Sequence, residues 1–136
     1  MSVKPEDILA AAEWMIEGSP SEVKIRASIS SSYYSMYHKV LSILSNEPIR
    51  YEGKGIHAAL IKYLQTDAKH DENYDFMTLK SLAYMLKQEK DSRVIADYKL
   101  CSILEIQNAK NSCITAKRFF EKCDKLIESN STSVAV

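Results

Sequence analysis

From Ile8 onward, apolar residues recur at three- and four-residue intervals rather than in alternation, so the whole chain reads as helices. Ile8, Ala11, Ala12 and Met15 share one face of a first helix. Pro5 suits the first helical position, Glu6 and Asp7 suit the positive end of the dipole, and Gly18 ends the run. Ser19-Pro20-Ser21-Glu22 combines a capping box with Pro at the first helical position and predicts a second helix reaching about Ser45. Its apolar face holds Ile25, Ile29, Tyr33, Met36, Val40 and Leu44, and Asn46-Glu47-Pro48 closes it. A loop with Gly53 and Gly55 leads to a short third helix carrying Ile56, Leu60, Tyr63 and Leu64 on one side. The polar stretch from Thr66 to Asn73 reads as a loop.

Phe76, Leu79, Leu82, Leu86 and Val94 mark a fourth helix that runs into Asp97-Tyr98. Ser102-x-x-Glu105 either caps a fifth helix or lies inside one long one. Beyond it, Ile106, Cys113, Phe120 and Ile127 repeat every seven residues, with Ala109, Ala116 and Cys123 between them. That stripe serves either the bundle's own core or a seam with a partner helix, and we read it as core. No internal repeat appears. The expected fold is all-α, an antiparallel bundle of four to five helices over residues 1–128, with 129–136 a disordered tail.

Composition fits this picture. A chain of 136 residues has room for one domain, and a domain of that size buries roughly two-thirds of its unfolded surface. Three Gly and three Pro are too few for the turns of an all-β sandwich or barrel. Eighteen Lys and Arg balance eighteen Asp and Glu, which excludes a protein that holds nucleic acid by bulk charge. The balance persists along the chain: five positive against six negative through Arg50, six against six through Lys90, and seven against six after it. Apolar runs are too short for a membrane span, and the N-terminus lacks the pattern of a signal peptide. Cys101, Cys113 and Cys123 have no metal-ligand or disulfide spacing; we read all three as small buried hydrophobes in a reducing cytoplasm. No metal or cofactor is expected.

Candidate chemistry concentrates on the second helix. Arg26, Ser30, Tyr34 and His38 recur every four residues and form a polar stripe beside the apolar one. A cation, a hydroxyl, a phenol and an imidazole in line can contact phosphate or move a proton. The plainer reading has Tyr34 and His38 half-buried and paired within the bundle, with Arg26 solvated. The dense serines point to tight packing or partner contact rather than helix propensity. A second candidate is Arg93-x3-Asp97-Tyr98, where Arg93 and Asp97 can pair along the helix. Arg50 and His57, separated by six residues across the glycine loop, are a weak third, and His70 reads as a solvated loop residue.

Arg26-x-Ser-Ile-Ser-x-x-Tyr-Tyr-Ser-Met-Tyr-His38, with Arg93-x-x-Ala-Asp-Tyr98 55 residues later, resembles the HEPN superfamily of small prokaryotic helical proteins. It is most similar to the branch reading R-x-S-I-S-R-x-Y-Y-A-M-F-H on helix two and R-x-x-A-D-Y on helix four. Gly53-Lys54-Gly55-Ile56-His57 resembles that branch's segment before helix three. The likeness spans roughly Ile8 to Ile127. It departs at Ser31 and Ser32, where the branch tends to carry a second Arg.

The resemblance implies a bundle that dimerises, found beside a nucleotidyltransferase partner or within antiviral and toxin–antitoxin loci. Active members are metal-independent ribonucleases with an R-x4–6-H motif on the late helix. Here that position reads Arg93-x3-Asp97-Tyr98, so the histidine is absent, and an ionised carboxylate is a poor general acid. The expectation is therefore a dimeric or partner-binding module, RNA-related and weakly or non-catalytic. The alternative is a ribonuclease that uses Arg93 with a His from another helix. Candidate catalytic residues are His38, Arg93 and Asp97; candidate phosphate or partner contacts are Arg26, Ser30, Tyr34, Tyr98 and His57.

Overall fold

A computed structural model describes residues 2–135, and among them every regular element is a helix. These are α1 (Pro5–Met15), α2 (Glu22–Ile43), α3 (Ile56–Gln65), α4 (Ala68–Asp71), α5 (Phe76–Tyr98) and α6 (Ile106–Ala135). Six helices replace the expected four to five for two reasons. A single turn, α4, forms inside the stretch expected as loop from Thr66 to Asn73, and α5 and α6 are separate. Helix α6 continues to Ala135 across the segment expected as a tail, and Val136 lies outside the described residues.

Caps explain the boundaries. The Lys4 N–H donates to the Asp7 carboxylate at 2.9 Å, and Pro5 follows at the first helical position. Gly18 adopts φ +70°, a conformation that side-chain-bearing residues rarely take, and it turns the chain out of α1. At α2 the cap is Ser21, whose hydroxyl accepts from the Lys24 N–H at 3.3 Å, so Pro20 precedes the cap instead of entering the helix. The end of α2 comes at Ile43, two residues before the expected Ser45. There Glu72 accepts from the Ser45 and Asn46 N–H groups at 2.7 and 3.2 Å and replaces the missing helical partners. Helix α5 starts at Asp75, which accepts from the Thr78 N–H and hydroxyl. Ahead of α6, Asn108 accepts from the Glu105 N–H at 2.9 Å, so Asn108 rather than Ser102 supplies the side-chain oxygen there.

Side-chain bonds set the directions. Lys39 pairs with Glu6 and Asp124, while Ser28 bonds to the Ala12 carbonyl and lies against Cys113. Helices α1 and α2 are therefore antiparallel, and α2 and α6 are parallel. Glu89 meets Ser112 and Asn73 meets Asn130, so α5 and α6 are antiparallel. Helix α2 is the axis, packed on α1, α5 and α6, and α3 lies against α5.

Tyr33, Met36, Val40, Leu60, Tyr63, Leu64, Leu79, Leu82, Leu86, Phe119, Phe120 and Cys123 form one continuous core. Ala109, Cys113, Ala116, Phe120 and Cys123 of the seven-residue stripe are buried in the bundle itself, whereas Ile127 is 40% exposed. The stripe is core, as its small residues implied. Cys113 and Cys123 are buried, but Cys101 is exposed because it falls in the α5–α6 connection. No helix among the described residues is long and apolar enough to cross a membrane.

Candidate functional site: an arginine between two tyrosines

The polar stripe of α2 faces the last two turns of α5. At its start, Arg26 donates to the carbonyls of Ile95, Ala96 and Lys99 at 3.0–3.3 Å. It also reaches the carbonyls of Leu100 and Ser102 and the carboxylate of Glu22. Carbonyls at a helix C-terminus have no helical partner, and a guanidinium with several donors is well matched to them. Arg26 is thus the C-terminal cap of α5 and the clasp of the α5–α6 connection, not a solvated residue.

One turn on, Ser30 donates to Asp97 at 3.3 Å. Asp97 also accepts from Arg93 at 3.2 Å, and Arg93 donates to the Tyr34 hydroxyl at 3.3 Å. The Arg93 guanidinium carbon lies 5.3 Å from the Tyr33 ring centre and 5.5 Å from that of Tyr34. Its side chain is only 9% exposed, and its Nε is buried without a hydrogen-bond partner. Burial alone would lower the Arg93 pKa, but Tyr34, Tyr98, Asp97 and Tyr33 outweigh it and raise the value, so Arg93 is a firm cation.

His57, in the first turn of α3, completes the cluster. Its Nδ1 is 2.8 Å from the Tyr33 hydroxyl, and its ring packs on Tyr33, Tyr34 and Tyr37. Burial raises the Tyr33 pKa strongly, so Tyr33 stays a phenol and donates to Nδ1. That bond leaves the ring proton on Nε2. Burial, and then the charges of Arg93, Lys90 and His38, lower the His57 pKa, so the imidazole is neutral at neutral pH.

The predicted residues therefore separate. Arg26, Ser30, Tyr34, Arg93 and Asp97 come together along the α2–α5 contact, with His57 behind Arg93. His38 is exposed; its ring packs edge-on against Tyr37 and lines a shallow groove with Val3, Pro5 and Ile8. Tyr98 is 71% exposed. Arg50 is exposed in the loop before α3, whereas His57 is partly buried. Tyr33 was legible in the sequence only as a core residue. Its adjacency to Tyr34 on α2 is the signal that could have marked an aromatic cradle.

Among the described residues, no group of three or more His, Cys, Asp or Glu gathers where a metal ion could be held. The chain matches no family model, no curated protein and no solved structure.

Proposed function

We propose that the chain is a HEPN-like helical module that works by association, as a dimer or with a protein partner such as a nucleotidyltransferase, in an RNA-related defence or toxin–antitoxin setting, and that it is weakly or non-catalytic. One observation carries the non-catalytic half. The two resembling motifs use their polar residues on each other: Arg26 on the α5 C-terminus, Ser30 on Asp97, Tyr34 on Arg93. Arg93 would have to leave two tyrosine rings and a carboxylate to reach a phosphate. The nearby imidazole, His57, already uses Nδ1 and carries its proton on Nε2, which is not the form of a general base.

Association is supported by exposed apolar side chains at the end of the bundle that Arg26 clasps. Val23, Tyr98, Leu100 and Ile103 are between 71 and 84% exposed there. Sedimentation equilibrium tests this half: the expected species is a dimer that Leu100→Ser with Ile103→Ser converts to monomer. A monomer across the whole concentration range would remove the homodimer.

A second reading, a metal-independent ribonuclease, is favoured by the shared position of Arg93 and His57 on Tyr33 and Tyr34 and by the unpartnered Arg93 Nε. It requires RNA cleavage that depends on both residues.

A further inference from the structure

On the outer side of α5, next to the Arg93 cluster but facing away from α2, the fold gathers charges that are scattered in the chain. Lys54 in the loop before α3, Lys62 on α3, and Lys87 and Lys90 on α5 line one hollow of about 470 Å³. Asp91 is the only acid in its lining, so the charge around the hollow is four minus one, or three positive. Among the described residues, none of the four lysines makes an ion pair. The Lys62 ammonium rests over the Tyr51 ring at 4.5 Å, which holds it at the rim. Gln65 adds a neutral donor to the same wall.

This concentration differs from the rest of the molecule. Lys39 and Lys117 are paired with acids, and Arg26, which also pairs with Glu22, is engaged by backbone carbonyls. Four uncompensated ammonium groups around one concavity repel each other, and an anion seated between them relieves that repulsion. Lysine is a point-charge donor suited to phosphate oxygens. A phosphate monoester carries about −1.5 to −2 at pH 7, so two or more phosphoryl groups are needed to meet the charge of the hollow. A nucleic-acid strand is held differently, by roughly six to ten phosphate contacts along a track. Here the cations ring a single hollow formed by two helices and a loop.

We propose that the Lys54–Lys62–Lys87–Lys90 hollow binds a compact oligophosphate, the di- or triphosphate group of a small molecule. The site is separate from Arg93, so it stands or falls independently of whether the chain is catalytic.

Calorimetric titration with inorganic tripolyphosphate is the test, run on the wild type, on Lys87→Ala with Lys90→Ala, and on Lys24→Ala with Lys110→Ala as a control pair outside the hollow. The expected result is one saturable site per chain, weakened by about tenfold or more in the first variant and unchanged in the control. Orthophosphate should bind at least about tenfold more weakly than tripolyphosphate. A parallel arm with ATP tells whether the natural ligand is a nucleotide; binding tighter than or equal to tripolyphosphate supports the site in either case. Absence of saturable binding, equal weakening in the control pair, or orthophosphate binding as tightly would overturn it. So would a short single-stranded RNA that binds through Lys87 and Lys90 and is not displaced by tripolyphosphate.

Discussion

Arg26 does at the end of α5 what a C-terminal glycine does for other helices: it gives the last carbonyls a partner. It also ties the α5–α6 connection to α2 through Leu100 and Ser102. Arg26→Ala should lower unfolding free energy by about 2–3 kcal/mol, because several carbonyls lose a charged donor at once. Arg26→Lys should recover only part of the loss, since a single ammonium cannot fork between them. Urea denaturation of the three proteins checks the order.

Glu89 presents the opposite case. It is 5% exposed and bonded to Ser112 at 2.7 Å, yet burial raises its pKa, with the Ser112 bond opposing. A carboxyl whose folded pKa is raised stabilises the protein below the unfolded value, and that stabilisation is lost as pH rises through the folded value. Glu89→Gln should therefore raise the melting temperature near neutral pH, with the gain shrinking toward pH 4.5 and below. Thermal melts across that range read the difference directly. His57 acts in the other direction. Its lowered pKa favours the neutral folded form, so its contribution is present above the ordinary histidine value and fades as pH falls through it.

Between elements, the serines of α2 show how packing governs a sequence that propensity does not. Ser28, Ser32 and Ser35 are fully buried. Ser28 and Ser32 touch the Cys113 sulfur, and Ser28 and Ser35 satisfy their hydroxyls on the carbonyls of Ala12 and Ser32. Opposite them α6 presents Ala109, Cys113 and Ala116, so α1, α2 and α6 approach closely. Ser32→Leu should cost about 1–3 kcal/mol by overpacking, and Ser32→Ala under about 1 kcal/mol, because the lost bond is to a weak sulfur partner. Chemical denaturation separates the two.

The inward faces of all five longer helices were legible as helical periodicity. The α4 turn was not, because its one buried residue, Ala68, gives no periodic signal. Register across helices was also out of reach. The spacing that aligned His38 with Arg26 said nothing of Tyr37, against which His38 rests, or of His57, which reaches the Arg93 cluster from α3 instead. The stripe on α2 was visible; that its partner was the α5 C-terminus was not.

At the scale of the whole molecule, neutrality hides an asymmetry. Charges balance in every stretch of the chain, yet the fold brings four lysines from three segments to one side of α3 and α5. Linear composition could not show this, since Lys54 and Lys87 meet only through tertiary packing. The opposite economy governs the α2–α5 contact, where Arg26, Arg93 and Asp97 are matched internally. The molecule thus keeps one set of cations for holding itself together and leaves another facing outward.

The central claim is that Arg93 belongs to the first set. The most direct test is incubation of an end-labelled single-stranded RNA, in chelator, with the wild type, Arg93→Ala and His57→Ala. The account predicts that the wild type cleaves no faster than either variant. Wild-type cleavage that falls by about a hundredfold or more in both variants would contradict it and establish the arginine–histidine pair as catalytic.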